Sequence, residues 1–138
     1  MSKKLFLCTF FLVCLPLVSY SQQRVQIEGK TLVKDKFTVK PGQYKWWTFT
    51  FNQNTKVTGR FDAEGGVGDD IECFIMDEKN FKNWQSGHKV NVYYNSGLKT
   101  TEDVQVNLMT GTYYFIFSNA SSPLYQRVVD VNLAYKNQ

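Results

Sequence analysis

Four carboxylates, Asp62, Asp69, Asp70 and Glu72, surround the glycine-rich run Gly65-Gly66-Val67-Gly68, with Glu64 among them. Carboxylate oxygens completed by backbone carbonyls are what Ca²⁺ takes, about six to eight at a time. The spacing fits no EF-hand loop, and acidic side chains in turns also accept local backbone hydrogen bonds. Ca²⁺ is therefore the one cofactor these residues would hold, and no other is expected. A second set lies between Asp77 and Gly97: Asn83, Trp84, His88, Tyr93 and Asn95. Rings of this kind stack on sugars or apolar groups, while amides and an imidazole read polar ones. The chain has one histidine, so neither a multi-histidine metal site nor an obvious nucleophile–base–carboxylate triad can be built. Asp69, Asp70 and Asp77 offer no distinguishable acid–base pair for glycoside cleavage. The expectation is a protein that is not an enzyme.

Compartment comes from the first residues. Lys3 and Lys4 precede an apolar run from Leu5 to Leu17, and the small residues Ser19 and Ser21 follow. That is the three-part pattern of a secretory signal peptide, too short for a bilayer span of about 20 residues. Residues 1–21 are expected to be removed, leaving one domain over 22–138, secreted or periplasmic, with no membrane span. The mature chain has 117 residues (138 less 21), and without Lys3 and Lys4 its charge falls from +4 to +2. That balance gives no electrostatic case for a nucleic-acid partner. Cys8 and Cys14 leave with the signal, so Cys73 remains alone, at strand spacing between Ile71 and Ile75. An inert core thiol is expected there.

Period two dominates the rest. Trp47, Phe49 and Phe51 alternate with Trp46, Thr48 and Thr50; Val57, Gly59 and Phe61 alternate with Thr58 and Arg60. The same holds for Val104–Leu108, Tyr113–Phe117 and Val129–Tyr135. Turn signals at Pro41-Gly42, Gly65–Gly68 and Thr110-Gly111 separate the runs. Eight strands are counted, with separate ones near Val25–Val33 and at Phe37/Val39. They predict an all-β fold, an antiparallel β-sandwich of jelly-roll type. Asp77–Gly97 reads as an excursion in which Asp77 caps a helical turn, and Phe81 and Trp84 fold back over one open end. Tyr44, Trp46 and Tyr114 fall on the faces opposite the apolar ones. They would form a sugar-stacking platform if exposed, but packing under the excursion is the reading favoured for Trp46 and Tyr114. Asn119-Ala120-Ser121 is a sequon, marking Asn119 for glycosylation in a eukaryotic secretory pathway.

The order of these segments carries a resemblance. Gly68-Asp69-Asp70-Ile71-Glu72-Cys73-Phe74-Ile75 followed by Leu108-Met109-Thr110-Gly111-Thr112-Tyr113-Tyr114 resembles the bacterial prepeptidase C-terminal domains. More loosely, the chain resembles the Golgi-dynamics (GOLD) β-sandwich of the p24 cargo receptors. The second motif matches well. In the first, Asp69 and Asp70 are adjacent where the family separates its acids. The resemblance implies a secreted accessory or binding module and no activity. The expected function is thus a non-catalytic module binding an extracellular glycan or protein through residues 77–97. The alternatives are an assembly protein acting by strand or surface pairing, and a calcium-stabilised accessory domain of a secreted hydrolase system.

Overall fold

The computed structural model describes residues 24–66 and 68–138; the expected signal peptide lies outside them. Eight strands and one helix follow in the order β1 (Lys30–Val39), β2 (Tyr44–Phe51), β3 (Thr55–Glu64), β4 (Ile71–Asp77), α1 (Glu78–Gln85), β5 (Tyr94–Lys99), β6 (Thr101–Leu108), β7 (Gly111–Ser118) and β8 (Arg127–Asn137). β1 pairs with β8, β2 with β7, β3 with β6 and β4 with β5, all antiparallel. The chain is therefore one long hairpin whose tip is the β4–β5 connection. Further pairing of β3 with β8 and β4 with β7 rolls it into two four-stranded sheets, β1-β8-β3-β6 and β2-β7-β4-β5. This is the antiparallel jelly-roll sandwich the alternation predicts.

The alternating apolar positions line the space between the sheets. Phe61, Phe115 and Phe117 are fully buried there with Val57, Ile71, Ile75, Val104, Val129 and Leu133. Burying one such side chain contributes about 1.5–3 kcal/mol. Phe117 is the hub: its ring meets Phe37, Trp47 and Phe61 edge-on at centroid distances of 5.5, 6.0 and 5.4 Å. Cys73 is completely buried in the same core, as expected. Aromatic packing thus does the work that disulfides do in many small secreted domains.

The count of eight comes out right through two compensating differences. The two N-terminal strands expected near Val25–Val33 and Phe37/Val39 are one ten-residue strand, β1, whose register shifts between Thr31 and Val33. Between Val33 and Phe37 the exposed run Lys34-Asp35-Lys36 leaves no inward apolar residue, which makes one strand read as two. β5 lies inside the expected excursion. It is a six-residue edge strand with a register shift of its own opposite Glu72 and Phe74, so it carries no clean period.

Candidate functional site

At the hairpin's tip, Asp77 ends β4 and caps α1, as the sequence suggests. Its Oδ1 accepts from the Asn80 backbone N–H and side-chain amide, both at 2.9 Å. Glu78 in the first turn complements the positive end of the helix dipole. α1 closes at Gly87, whose φ of 78° suits a residue without a Cβ. The chain then returns, held to the helix where the Asn91 N–H donates to Asn80 Oδ1 at 3.2 Å.

α1 lies on the outer face of the sheet β2-β7-β4-β5. Phe81 stacks on Tyr114 at 4.3 Å, over the buried Met76 and Ile116. Trp84 sets its ring against Tyr44 at 4.7 Å and beside Phe74 at 6.0 Å. Trp46 approaches Phe81 at 5.5 Å yet stays 45% exposed. The Gln85 side-chain amide donates to the Tyr44 hydroxyl at 3.1 Å. Phe81 and Trp84 thus cover the middle of a sheet face rather than an open end, which corrects the expectation. Met76 and Phe74 explain why: with Ile71, Cys73 and Ile75 pointing inward, β4 turns two large apolar side chains outward, and these require a cover. Tyr114 is a packing residue, as favoured, whereas Trp46 is packed on one side and open on the other.

The five side chains picked from residues 77–97 are not brought together. Trp84 sits by Tyr44, which pairs with Ser118 at one end of β7. Tyr93 rests edge-on against Tyr113, at the other end, at 5.2 Å. Five residues of strand span about 17 Å. His88 is exposed, its backbone N–H donating to the Asn83 carbonyl at 3.0 Å. Asn95 Oδ1 accepts from the Gly97 N–H at 2.8 Å, bracing its own strand. Trp84 stays with the aromatic face and Asn83 and His88 meet through their backbones at the end of α1, while Tyr93 and Asn95 do not join them.

The calcium candidates also part company. Asp62 Oδ1 accepts from the Thr101 hydroxyl at 2.7 Å, Asp69 Oδ1 from the Gly65 N–H at 2.8 Å, and Asp70 Oδ1 from the Thr100 hydroxyl at 3.0 Å. Glu72 lies on β4, where burial pushes its carboxyl pKa up. No group of three or more His, Cys, Asp or Glu side chains suited to a metal occurs among the described residues. The glycine-rich turn is instead held by the buried Arg127. Its guanidinium donates to the carbonyls of Asp70, at 2.9 Å, and of Gly65. Gly65 allows that approach: a Cβ there would lie 2.2 Å from the Gln126 carbonyl oxygen.

The sequon falls on an enclosed side chain. Asn119 is fully buried, and its Nδ2, the atom a glycan would take, donates to the carbonyls of Val39, Lys40 and Tyr125 at 3.2, 3.3 and 2.8 Å. It is a clamp joining the β1–β2 and β7–β8 connections.

Residues 36–138 match the model of the emp24/gp25L/p24 family/GOLD. The chain belongs to this family. The GOLD match runs from within β1 to the last residue, so it takes in both sheets and α1. GOLD domains are non-enzymatic β-sandwich interaction modules of membrane trafficking, which accords with the absence of a catalytic constellation from the sequence reading. The looser of the two resemblances therefore holds; the prepeptidase one is not supported. No curated protein matches the chain. Among the described residues no helix is long and apolar enough to cross a membrane.

Proposed function

We propose that this GOLD domain is a non-catalytic binding module of the secretory lumen or the extracellular space. It recognises a protein partner through the outer aromatic face formed by Tyr44, Trp46 and Trp84. The observation that carries this reading is Trp46: 45% exposed, yet fixed at its base by Phe81 and Tyr44. A large ring held rigid and left half open is the kind of anchor that dominates protein interfaces. Protein is favoured over glycan because the rings do not make a flat platform. Tyr44 and Trp46 are inclined by 41°, and Trp46 and Phe81 by 46°. The test is quantitative capture of lumenal proteins, and of glycans on an array, by the immobilised domain and by its Trp46→Ala variant. Saturable protein capture that falls about tenfold or more on substitution is expected. Glycan binding alone, or capture indifferent to Trp46, would sink it.

A further inference from the structure

Two sheets of four strands leave four edges, and three are visibly blunted against further pairing. β1 carries a bulge and the lysines Lys30, Lys34 and Lys36. β5 is six residues long, shifted in register and broken by Gly97. β6 presents Glu102 and Asp103. β2 has no bulge, register shift or glycine, and only one charged residue, Lys45. It runs eight residues in unbroken register with β7, and its sequence Tyr-Lys-Trp-Trp-Thr-Phe-Thr-Phe holds a single charge. That charge is already used, since Lys45 Nζ reaches across to β1, 3.9 Å from Asp35 and 4.7 Å from the centre of the Phe37 ring. A long edge in unbroken register, its one charge turned toward β1, is a template for an additional strand.

The space beside β2 says what that strand must carry. Near Lys45 the gap between β1 and β2 is closed, with Phe37 against Trp47 at 4.9 Å. Further along it opens into a groove of about 350 Å³ lined by Leu32, Phe49, Phe51, Tyr135, Asn52 and Gln53 among others. The groove has an apolar floor and neutral amides at its rim. On the strand's opposite face stand Trp46, Thr48 and Thr50, all exposed. We infer that the partner binds by strand addition. An extended, uncharged segment with apolar alternate residues pairs along Tyr44–Phe51, drops one side chain into the groove, and lays its other face beside Trp46. Main-chain hydrogen bonds supply the affinity and the groove the selectivity. This inference rests on the protein-binding reading above and names the form in which the partner is held.

The probe is a soluble, lysine-flanked peptide of alternating valine and threonine, alongside the same peptide N-methylated at alternate amides. Amide hydrogen exchange of the intact protein is followed at peptide concentrations up to about 1 mM. Slowed exchange confined to residues 44–51 is expected, with the N-methylated form binding about tenfold more weakly or worse. No protection of β2 would overturn the proposal. So would protection of α1 alone with equal binding of both peptides, which means side-chain docking and leaves the aromatic-face reading standing. Protection of β2 without peptide, rising with protein concentration, would assign the edge to a second copy and also overturn it. Capture indifferent to Trp46→Ala, with β2 protection intact, would remove the aromatic-face reading while supporting strand addition.

Discussion

At the scale of single residues, Cys73 and Asn119 do opposite things with burial. The Cys73 thiol has no water around it, and burial pushes its pKa far above the ordinary thiol value. Because the thiolate is the reactive species, iodoacetamide should leave the native protein unmodified at mildly alkaline pH. It should label Cys73 only once denaturant unfolds the chain, read by intact mass. Asn119 is polar and equally buried; its Nδ2 donates to three carbonyls, while its Oδ1 is buried without a hydrogen-bond partner. Asn119→Ala would strand those acceptors at a cost of about 1–3 kcal/mol, visible as a lower urea midpoint. Protein recovered folded from a glycosylating host should carry Asn119 unmodified by peptide mass spectrometry.

At the scale of elements, α1 depends on its cap and β3 on a glycine. Asp77→Ala removes the acceptor for Asn80 and should cost about 1 kcal/mol. The loss should show first as faster amide exchange over residues 78–85, because those are the N–H groups the cap organises. Gly59 lies on β3 between its two neighbours, paired with Leu133 of β8 and Val104 of β6. A Cβ at Gly59 would sit 2.2 Å from the Asn132 carbonyl oxygen and 2.5 Å from a Leu133 methyl. Gly59→Ala should therefore destabilise by about 1–3 kcal/mol or more through forced separation of β3 from β8, measured by the same denaturation. The alternation along β3 marks Gly59 as inward-facing but does not reveal this closeness. That follows from β8, seventy-odd residues later, lying against it.

At the scale of the whole molecule, both sheets carry something on their outer faces. α1 covers one. On the other, the Val25 N–H donates to Asp103 Oδ2 at 2.9 Å and the Glu28 N–H to the Thr58 hydroxyl at 2.8 Å. The Val25 bond, then Arg60 Nε at 2.8 Å, lowers the Asp103 pKa. A depressed carboxyl contributes stability that is complete above its unfolded value, about 3.9, and is lost as pH falls through the folded value. Glu72, raised by burial, works the other way. Its contribution is complete below an unfolded value of about 4.3 and is lost as pH rises through the folded one. Urea midpoints across this range should therefore lose their acid-side fall in Asp103→Asn. On the alkaline side of the unfolded Glu72 value they should stay higher in Glu72→Gln than in the parent.

Inner faces, turns and the burial of Cys73 were legible in the sequence, because alternation is a local property: successive strand side chains point to opposite sides whatever lies beyond. The same rule exposed Tyr44, Trp46 and Tyr114 as outward residues, and Asp77 announced the helix. Which outward residues meet was not legible. Trp84 and Tyr93 are near in sequence but lie at opposite ends of β7, and three neighbouring acids, Asp62, Asp69 and Asp70, each found a different partner. Asn119, surface-like by its sequon, is enclosed by carbonyls from positions 39, 40 and 125. Those outcomes depend on how the hairpin rolls, through pairings such as β1 with β8 that join the two ends of the domain. Only long-range strand order decides them, and the open edge at β2 among the described residues is a consequence of that order.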